Sequence, residues 1–287
     1  MTYLLMIGIT FGVFSQNICA KQFYKRNQDN SKAIFVYCFI MTLGAFFVAT
    51  IAMAVQASWN PGTLLYAGIF AICYLCAIIF IALAIQSGPL SLSSLLQSLS
   101  LIIPTVYGLI VLQEKLSMLG WIGIICLLIS VITTNIYKKG NKPTKCWFVF
   151  ILLACFGNGL CSVVQKAHQI AYGDMFSTLF MSFAMGIAVI VTGILVLYIE
   201  KAKKTNIFKF VHGNIYAGFS GVLNAAVNLS MLFLAAQIPA AILYPTVTAG
   251  GIVLAFIVSI FFYKERLSLL QYIGYTAGVV AVILLNL

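Results

Sequence analysis

Carboxylates are nearly missing from this chain. Asp29, Glu114, Asp174, Glu200 and Glu265 are the five present in 287 residues, and each falls at the end of an apolar run or between two runs. A buried carboxylate is the usual means by which a membrane protein binds a cation or carries a proton, and no run holds one at its middle. Charge of either sign is also scarce. Only 7% of residues are Asp, Glu, Lys or Arg, against roughly 25% in a soluble domain. A soluble globule is thereby excluded. A single anchor carrying a soluble domain is excluded too, because no stretch is long and polar enough to be that domain. No cluster of His, Asp or Glu gathers at one interface, and no nucleophile has a base partner. Lipid or isoprenoid chemistry is thus excluded, and no catalytic residue, metal ligand or cofactor is expected. A cleavable leader is not evident either: the first apolar run begins at Tyr3 with no basic segment before it and no small-residue cleavage site after it.

What is abundant is apolar, 63% of the chain. The formal charge of +11 would suggest nucleic acid in a soluble protein. Here the basic residues sit in short loops, as on the cytoplasmic side of a membrane protein, so no nucleic-acid partner is expected. The eight cysteines lie nearly all inside apolar runs, where Cys behaves as a small hydrophobe. Cys73 and Cys76 share a C-x-x-C spacing but have no second ligand pair, which reads as packing.

A spanning helix needs about 20 mainly apolar residues. Reading between polar breaks predicts ten, near 3–23, 33–56, 63–85, 90–113, 117–137, 146–169, 175–199, 214–236, 239–263 and 267–287. Trp59-Asn60-Pro61-Gly62 is a turn signal, and Gly88-Pro89 and Ile238-Pro239 mark tight hairpins. The strongest break, Lys138-Lys139-Gly140-Asn141-Lys142-Pro143, stands at the middle and divides five runs from five. Lys and Arg gather in the loops after runs 1, 5, 7 and 9, while the opposite side holds only Lys115. The positive-inside rule then places both termini outside the cytoplasm.

The two halves read alike. Leu83-Ala84-Ile85-Gln86 recurs as Leu234-Ala235-Ala236-Gln237, and Glu114-Lys115-Leu116-Ser117 as Glu265-Arg266-Leu267-Ser268, both at a spacing of 151 residues. More weakly, Phe11-Gly12 pairs with Phe156-Gly157 and Lys21 with Lys166, at a spacing of 145. A duplication at fixed period sets the architecture. Five spans per half is odd, so the second half enters from the opposite side. The expected fold is an all-α membrane protein of ten transmembrane helices, built as two inverted five-helix repeats over 1–140 and 141–287. Such duplication places a substrate path between the halves.

The repeat, the ten runs and the paired Glu-Lys-Leu-Ser and Glu-Arg-Leu-Ser corners resemble the drug/metabolite transporter superfamily, and within it the EamA-type members. The resemblance covers essentially the whole chain and implies a secondary transporter of the cytoplasmic membrane with a central cavity. It leaves the substrate open, since members carry amino acids, sugars, nucleotides, small amines and drugs. It also implies cytoplasmic termini, against the charge bias. Four-helix relatives that expel cationic drugs use a membrane-embedded Glu, for which this chain has no counterpart. Neutral, zwitterionic or anionic metabolites therefore fit better.

Candidate residues follow from helical spacing. Ser93, Gln97, Ser100, Pro104 and Tyr107 make one stripe of run 4. Tyr244, Thr248, Gly251, Ala255 and Val258 are their repeat partners in run 9. Polar side chains in a bilayer face the bundle interior or a wet cavity, or let helices pack closely. Gln97, Tyr107, Tyr244 and Thr248 are taken as substrate-binding. Run 8 adds Asn224 and Asn228 on the face of Ser220 and Met231, with interhelical hydrogen bonding the alternative. Run 1 adds Gln16, Asn17 and Lys21; run 6 offers Asn158, Gln165, Lys166 and His168. Lys21 and Lys166 read either as lysines snorkelling to headgroups or as cavity charges for a carboxylate or phosphate. His168 beside Lys166 reads as interfacial. Pro104 and Pro245 read as hinges or as tolerated helix prolines. Glu114 and Glu265 read as structural or gate-latch residues, and the Ser of each corner as a cap for the next helix.

The leading expectation is alternating-access transport of small polar, amino-acid-like metabolites, neutral or anionic. The partners are a small-molecule substrate, the bilayer and, left open, coupling protons or ions. A monomer and a homodimer both remain open. Alternatives are efflux of drug-like or amine compounds, a channel, or a non-transporting receptor.

Overall fold

The structure is a computed structural model. It describes residues 2–27, 32–56, 59–87, 93, 96–135, 145–203, 212–261 and 268–287, and among them there are helices and turns but no strands. This is the expected outcome for apolar chain in lipid, where helix lets a segment satisfy its own backbone hydrogen bonds. The helices are α1 (Thr2–Arg26), α2 (Ala33–Gln56) and α3 (Pro61–Ser87), then α4 (Leu96–Val111) and α5 (Met118–Asn135). They continue as α6 (Lys145–Tyr172), α7 (Ser177–Lys203), α8 (Asn214–Gln237), α9 (Ala240–Phe261) and α10 (Leu269–Leu285).

Five apolar helical runs are long enough to cross a bilayer by length and composition: α1, α2, Pro61–Ala84 of α3, Lys145–Lys201 and α8. The fourth contains both α6 and α7, separated by a 3-10 turn at Gly173–Phe176 where Gly173 takes φ +62°. Leu96–Val111, Met118–Thr133, Ala240–Leu254 and Leu269–Leu285 are shorter apolar helices. The outer surface of the bundle is apolar as well. Val55, Met118, Ile215, Ile190 and Leu197 are all well over half exposed, a surface only hydrocarbon would solvate without cost. The protein is thus a multi-pass membrane protein.

The main core lies between α2, α3, α6, α7 and α8, around Phe70, Phe180, Met181, Met185 and Leu232, all fully buried. Smaller cores join α1 to α8 and α9 through Ile9, Leu234 and Leu243, and α4 and α5 to α9 and α10 through Leu101, Leu127, Ala249 and Ala281. The extensive packing pairs are α3 on α6, α5 on α10, α2 on α7, α2 on α8, α1 on α8 and α3 on α7. Next come α9 on α10, α1 on α9, α4 on α6 and α4 on α9.

Small residues set the closest approaches. A Cβ on Gly221 of α8 would meet the Met41 carbonyl and stand 3.0 Å from the Gly44 Cα of α2. A Cβ on Gly157 of α6 would lie 2.7 Å from the Cys73 carbonyl and 3.1 Å from the Cys76 Cβ. The C-x-x-C pair is therefore part of a tight helix crossing.

α4 is irregular. It runs as a 3-10 turn at Leu99–Leu101, α-helix at Ile102–Val106 and a π-turn at Tyr107–Val111. Pro104 cannot donate to the carbonyl of Ser100, so the regular ladder is interrupted there, and irregular pitch inside a helix often marks a functional segment. The segment ends with the Glu114 amide donating to the Gly108 carbonyl at 3.0 Å and Gln113 in the left-handed region, φ +52°. Both corner serines cap the helix that follows. Ser117 Oγ accepts from the Gly120 amide at 3.0 Å, and Ser268 forms a reciprocal capping box with Gln271.

Candidate functional site

Where α4 and α9 meet α1, α3, α6, α8 and α10, the bundle forms an open cavity of about 740 Å³. Its size lies within the about 300–1,000 Å³ common for small-molecule sites. α1 contributes Ile9, Val13, Phe14 and Asn17, and α3 contributes Phe70 and Tyr74. α4 brings Gln97, Ser98, Ser100, Leu101 and Pro104. α6 brings Asn158, Cys161, Ser162 and Gln165. α8 supplies Asn224, Val227, Asn228 and Met231. α9 supplies Tyr244, Val247, Thr248, Gly251 and Ile252, and α10 adds Tyr275. None of these lining residues is charged.

The polar lining mixes carboxamides with hydroxyls, and much of it is joined into a chain. Gln165 Nε2 donates to Asn228 Oδ1 at 3.0 Å, and Asn228 Nδ2 donates to the Asn224 carbonyl at 2.9 Å. Asn224 Oδ1 accepts from the Tyr74 hydroxyl at 3.1 Å, while Asn224 Nδ2 donates to Gln16 Oε1 at 3.2 Å. The chain thus crosses from α6 through α8 to α1, with α3 attached. On the α4 side, Asn158 Nδ2 donates to Ser100 Oγ at 2.7 Å. The Tyr244 hydroxyl donates to the Ser162 carbonyl at 2.8 Å, and the Thr248 hydroxyl back-bonds to the Tyr244 carbonyl at 3.0 Å. Gln97 differs: its buried Oε1 has no hydrogen-bond partner.

Of the sequence candidates, Asn17, Gln97, Ser100, Pro104, Asn158, Gln165, Asn224, Asn228, Tyr244, Thr248 and Gly251 therefore converge on one cavity. Gln16 reaches it only through Asn224. Tyr107 is not among the lining residues; it opens the π-turn of α4. Ser93 is buried and accepts from Trp147 Nε1 at 2.9 Å. Pro245 sits inside α9, buried behind Tyr244. Ser220 bonds Tyr37 instead, at 2.8 Å. The side chains of Ala255 and Val258, and Glu265 as a whole, lie outside the described residues.

The lysines part company. Lys21 is exposed on α1. Lys166 is buried and neither snorkels nor lines the cavity. Its ammonium donates to the Ala235 carbonyl at 2.9 Å and the Ile238 carbonyl at 2.8 Å, and stands 3.7 Å from Glu114 Oε1. Glu114 accepts from the backbone amides of Ala240 and Ala241, each at 2.9 Å. The physical logic is that of a broken helix. α8 ends and α9 begins across Pro239, so unpaired carbonyls and unpaired amides face one another at one corner. A cation suits the first and an anion the second, and the two charges also satisfy each other. Lys166 is thus tied up by this corner, which removes it as a free charge for a substrate anion.

His168, expected at the membrane interface, is fully enclosed by protein. Tyr66, Tyr172 and Phe180 surround its ring, and Gln169 Nε2 lies 3.4 Å from Nδ1. Gln169 in turn donates to Ser177 at 2.7 Å. The aromatic residues of α3 and α7 that bury it are remote in sequence, so position along α6 alone does not reveal that enclosure.

Tyr74 is a site residue that the sequence stripes do not single out. For Tyr74 a signal exists: it is the sole hydroxyl between Ala67 and Gln86 in an otherwise apolar helix, and such a group needs a partner.

Residues 1–136 match the EamA-like transporter family. No curated protein matches the sequence closely enough to stand as a relative. Among solved structures 28 chains are similar. One of them, described only as a crystal structure of a protein, superposes with a TM-score of 0.74 at 12% identity, over 97% of this chain and 94% of that one. At that identity the likeness is one of fold.

Proposed function

Because residues 1–136 belong to the EamA-like transporter family, within the drug/metabolite transporter superfamily, we propose that this membrane protein is a secondary active transporter of small polar metabolites. It works by alternating access between two inverted five-helix halves, 1–140 and 141–287. The observation that carries this reading is the cavity, which draws lining residues from α1, α3 and α4 of one half and from α6, α8, α9 and α10 of the other. A site shared by two halves opens to one side or the other as they rock.

The packing pattern supports a two-fold repeat, with α9 on α10 lacking a counterpart of comparable extent, and the odd number of spans per half makes that repeat inverted. Exchanging each helix with the one five places along turns α3 on α6 into α8 on α1, α2 on α8 into α7 on α3, and α1 on α9 into α6 on α4. The pairs α2 on α7, α5 on α10 and α4 on α9 turn into themselves. In this reading Gln97, Asn17, Asn224, Asn228, Tyr244 and Thr248 bind the solute, and the Glu114 corner latches one face. The protein resides in the cytoplasmic membrane with both termini outside the cytoplasm, as its basic loops favour.

The test is untargeted metabolite profiling of cells and medium on overexpression, against a Gln97→Leu/Tyr244→Ala variant of equal membrane abundance. The reading expects one compound class to redistribute with the intact protein only. Identical profiles for the two proteins would count against it.

A further inference from the structure

Within that transporter reading, we propose that the cavity selects an uncharged solute that donates a hydrogen bond to Gln97 Oε1, and rejects organic anions and cations. Three observations converge on this.

The first is the absence of countercharge. Among the described lining residues the polar groups are carboxamides, hydroxyls and the Cys161 thiol, and none is a charged side chain. Taking a charged group out of water costs several kcal/mol even after relaxation. Neutral dipoles offset only part of that unless a fixed charge joins them. The one buried ion pair among the described residues, Lys166 with Glu114, is saturated by two carbonyls and two amides at the α8–α9 corner.

The second is the unspent oxygen. Asn158, Gln165, Asn224 and Asn228 all make hydrogen bonds within the protein. Gln97 Oε1 is buried without a partner. A buried acceptor left unpaired costs about 1–3 kcal/mol, so the site is incomplete without a donor. An N–H or O–H of the solute supplies it. A solute lacking that donor leaves the oxygen orphaned, which is how a hydrogen-bonding site discriminates.

The third is the shape of the remaining wall. Phe14, Tyr74, Tyr244 and Tyr275 line the cavity together with the carboxamides. Rings favour an apolar face, and adjacent amide donors and acceptors favour a solute edge carrying both. The combination suits a neutral cyclic amide or a neutral sugar, each with one apolar face and a polar rim.

The experiment uses the purified full-length chain, measured two ways. Thermal stabilisation in detergent reports binding; counterflow in proteoliposomes reports transport. The probes are uracil and glucose as uncharged solutes, and glutamine, glutamate and lysine as zwitterion, anion and cation. The expected result is that uracil or glucose stabilises the wild type and that the amino acids do not. Gln97→Leu should weaken that binding about tenfold, the equivalent of one hydrogen bond. The near-isosteric Gln97→Glu, which keeps the side-chain volume, should lose the uncharged solute and gain lysine.

Stabilisation of the wild type by glutamate or lysine overturns the proposal and leaves the transporter reading intact. Stabilisation by none of the five also overturns it. Gln97-dependent binding of an uncharged probe without counterflow upholds the proposal and removes the transporter reading.

Discussion

Glu114 and Lys166 show how one pair of side chains can serve two helix ends at once. Removing one partner strands the other charge, a loss of roughly 3–5 kcal/mol for a buried pair. Glu114→Gln and Lys166→Met are each expected to lower the Tm in detergent. The double variant should fall by less than the sum of the two, because it strands neither charge. Strictly additive losses would show that the pair is not coupled. At the carboxamide chain the expectation is smaller. Tyr74→Phe keeps the ring and deletes the hydroxyl that donates to Asn224 Oδ1, so about 0.5–1.5 kcal/mol should be lost. Its check is denaturant unfolding beside Tyr66→Phe, on the same helix. Asn224 and Asn228 were legible from sequence because two amides in one apolar span demand partners. Their partners were not legible, because Gln16, Tyr74 and Gln165 sit on three other helices, and no local spacing relates them.

At the scale of the element, glycine position within α8 separates packing from tolerance. Gly221 lies against the α2 backbone, whereas a Cβ at Gly218 would meet nothing within 4 Å. Gly221→Ala should force α2 and α8 apart and cost about 1–3 kcal/mol, while Gly218→Ala should be neutral or slightly stabilising through helix propensity. Thermal unfolding of both variants decides it, and equal Tm values would refute the close crossing. Caps make a second comparison. Ser268→Ala breaks a reciprocal capping box and should cost about 1 kcal/mol, with Ser268→Asp, a good cap itself, retaining most of it. The helices α1 to α3 and α5 to α10 were readable to within a few residues, because an apolar run between polar breaks has few other fates in lipid. The pitch of α4 was not readable. Pro104 announced a disturbance, but the stripe from Gln97 to Tyr107 assumes regular spacing across the 3-10 turn at Leu99–Leu101, and Tyr107 is not among the lining residues.

For the whole molecule, orientation is the quantity a single measurement can test. With Lys25, Arg26, Lys138, Lys139, Lys201 and Lys203 on one side and Lys115 on the other, a reporter fused to either terminus should read out as non-cytoplasmic. A cytoplasmic signal from both would favour the orientation implied by the superfamily resemblance. The amino-acid sequence alone determined that this chain lives in a membrane, that it is helical, and that its two halves echo each other. These properties follow from composition and periodicity, which act locally and repeat along the chain. Tertiary structure decided which polar groups are spent and which are free. Lys166 belongs to a helix corner, His168 to an aromatic core, and Gln97 to a cavity with one oxygen unpaired. A side chain's role in lipid depends on what faces it across a helix crossing, and those neighbours come from residues as much as 208 positions apart.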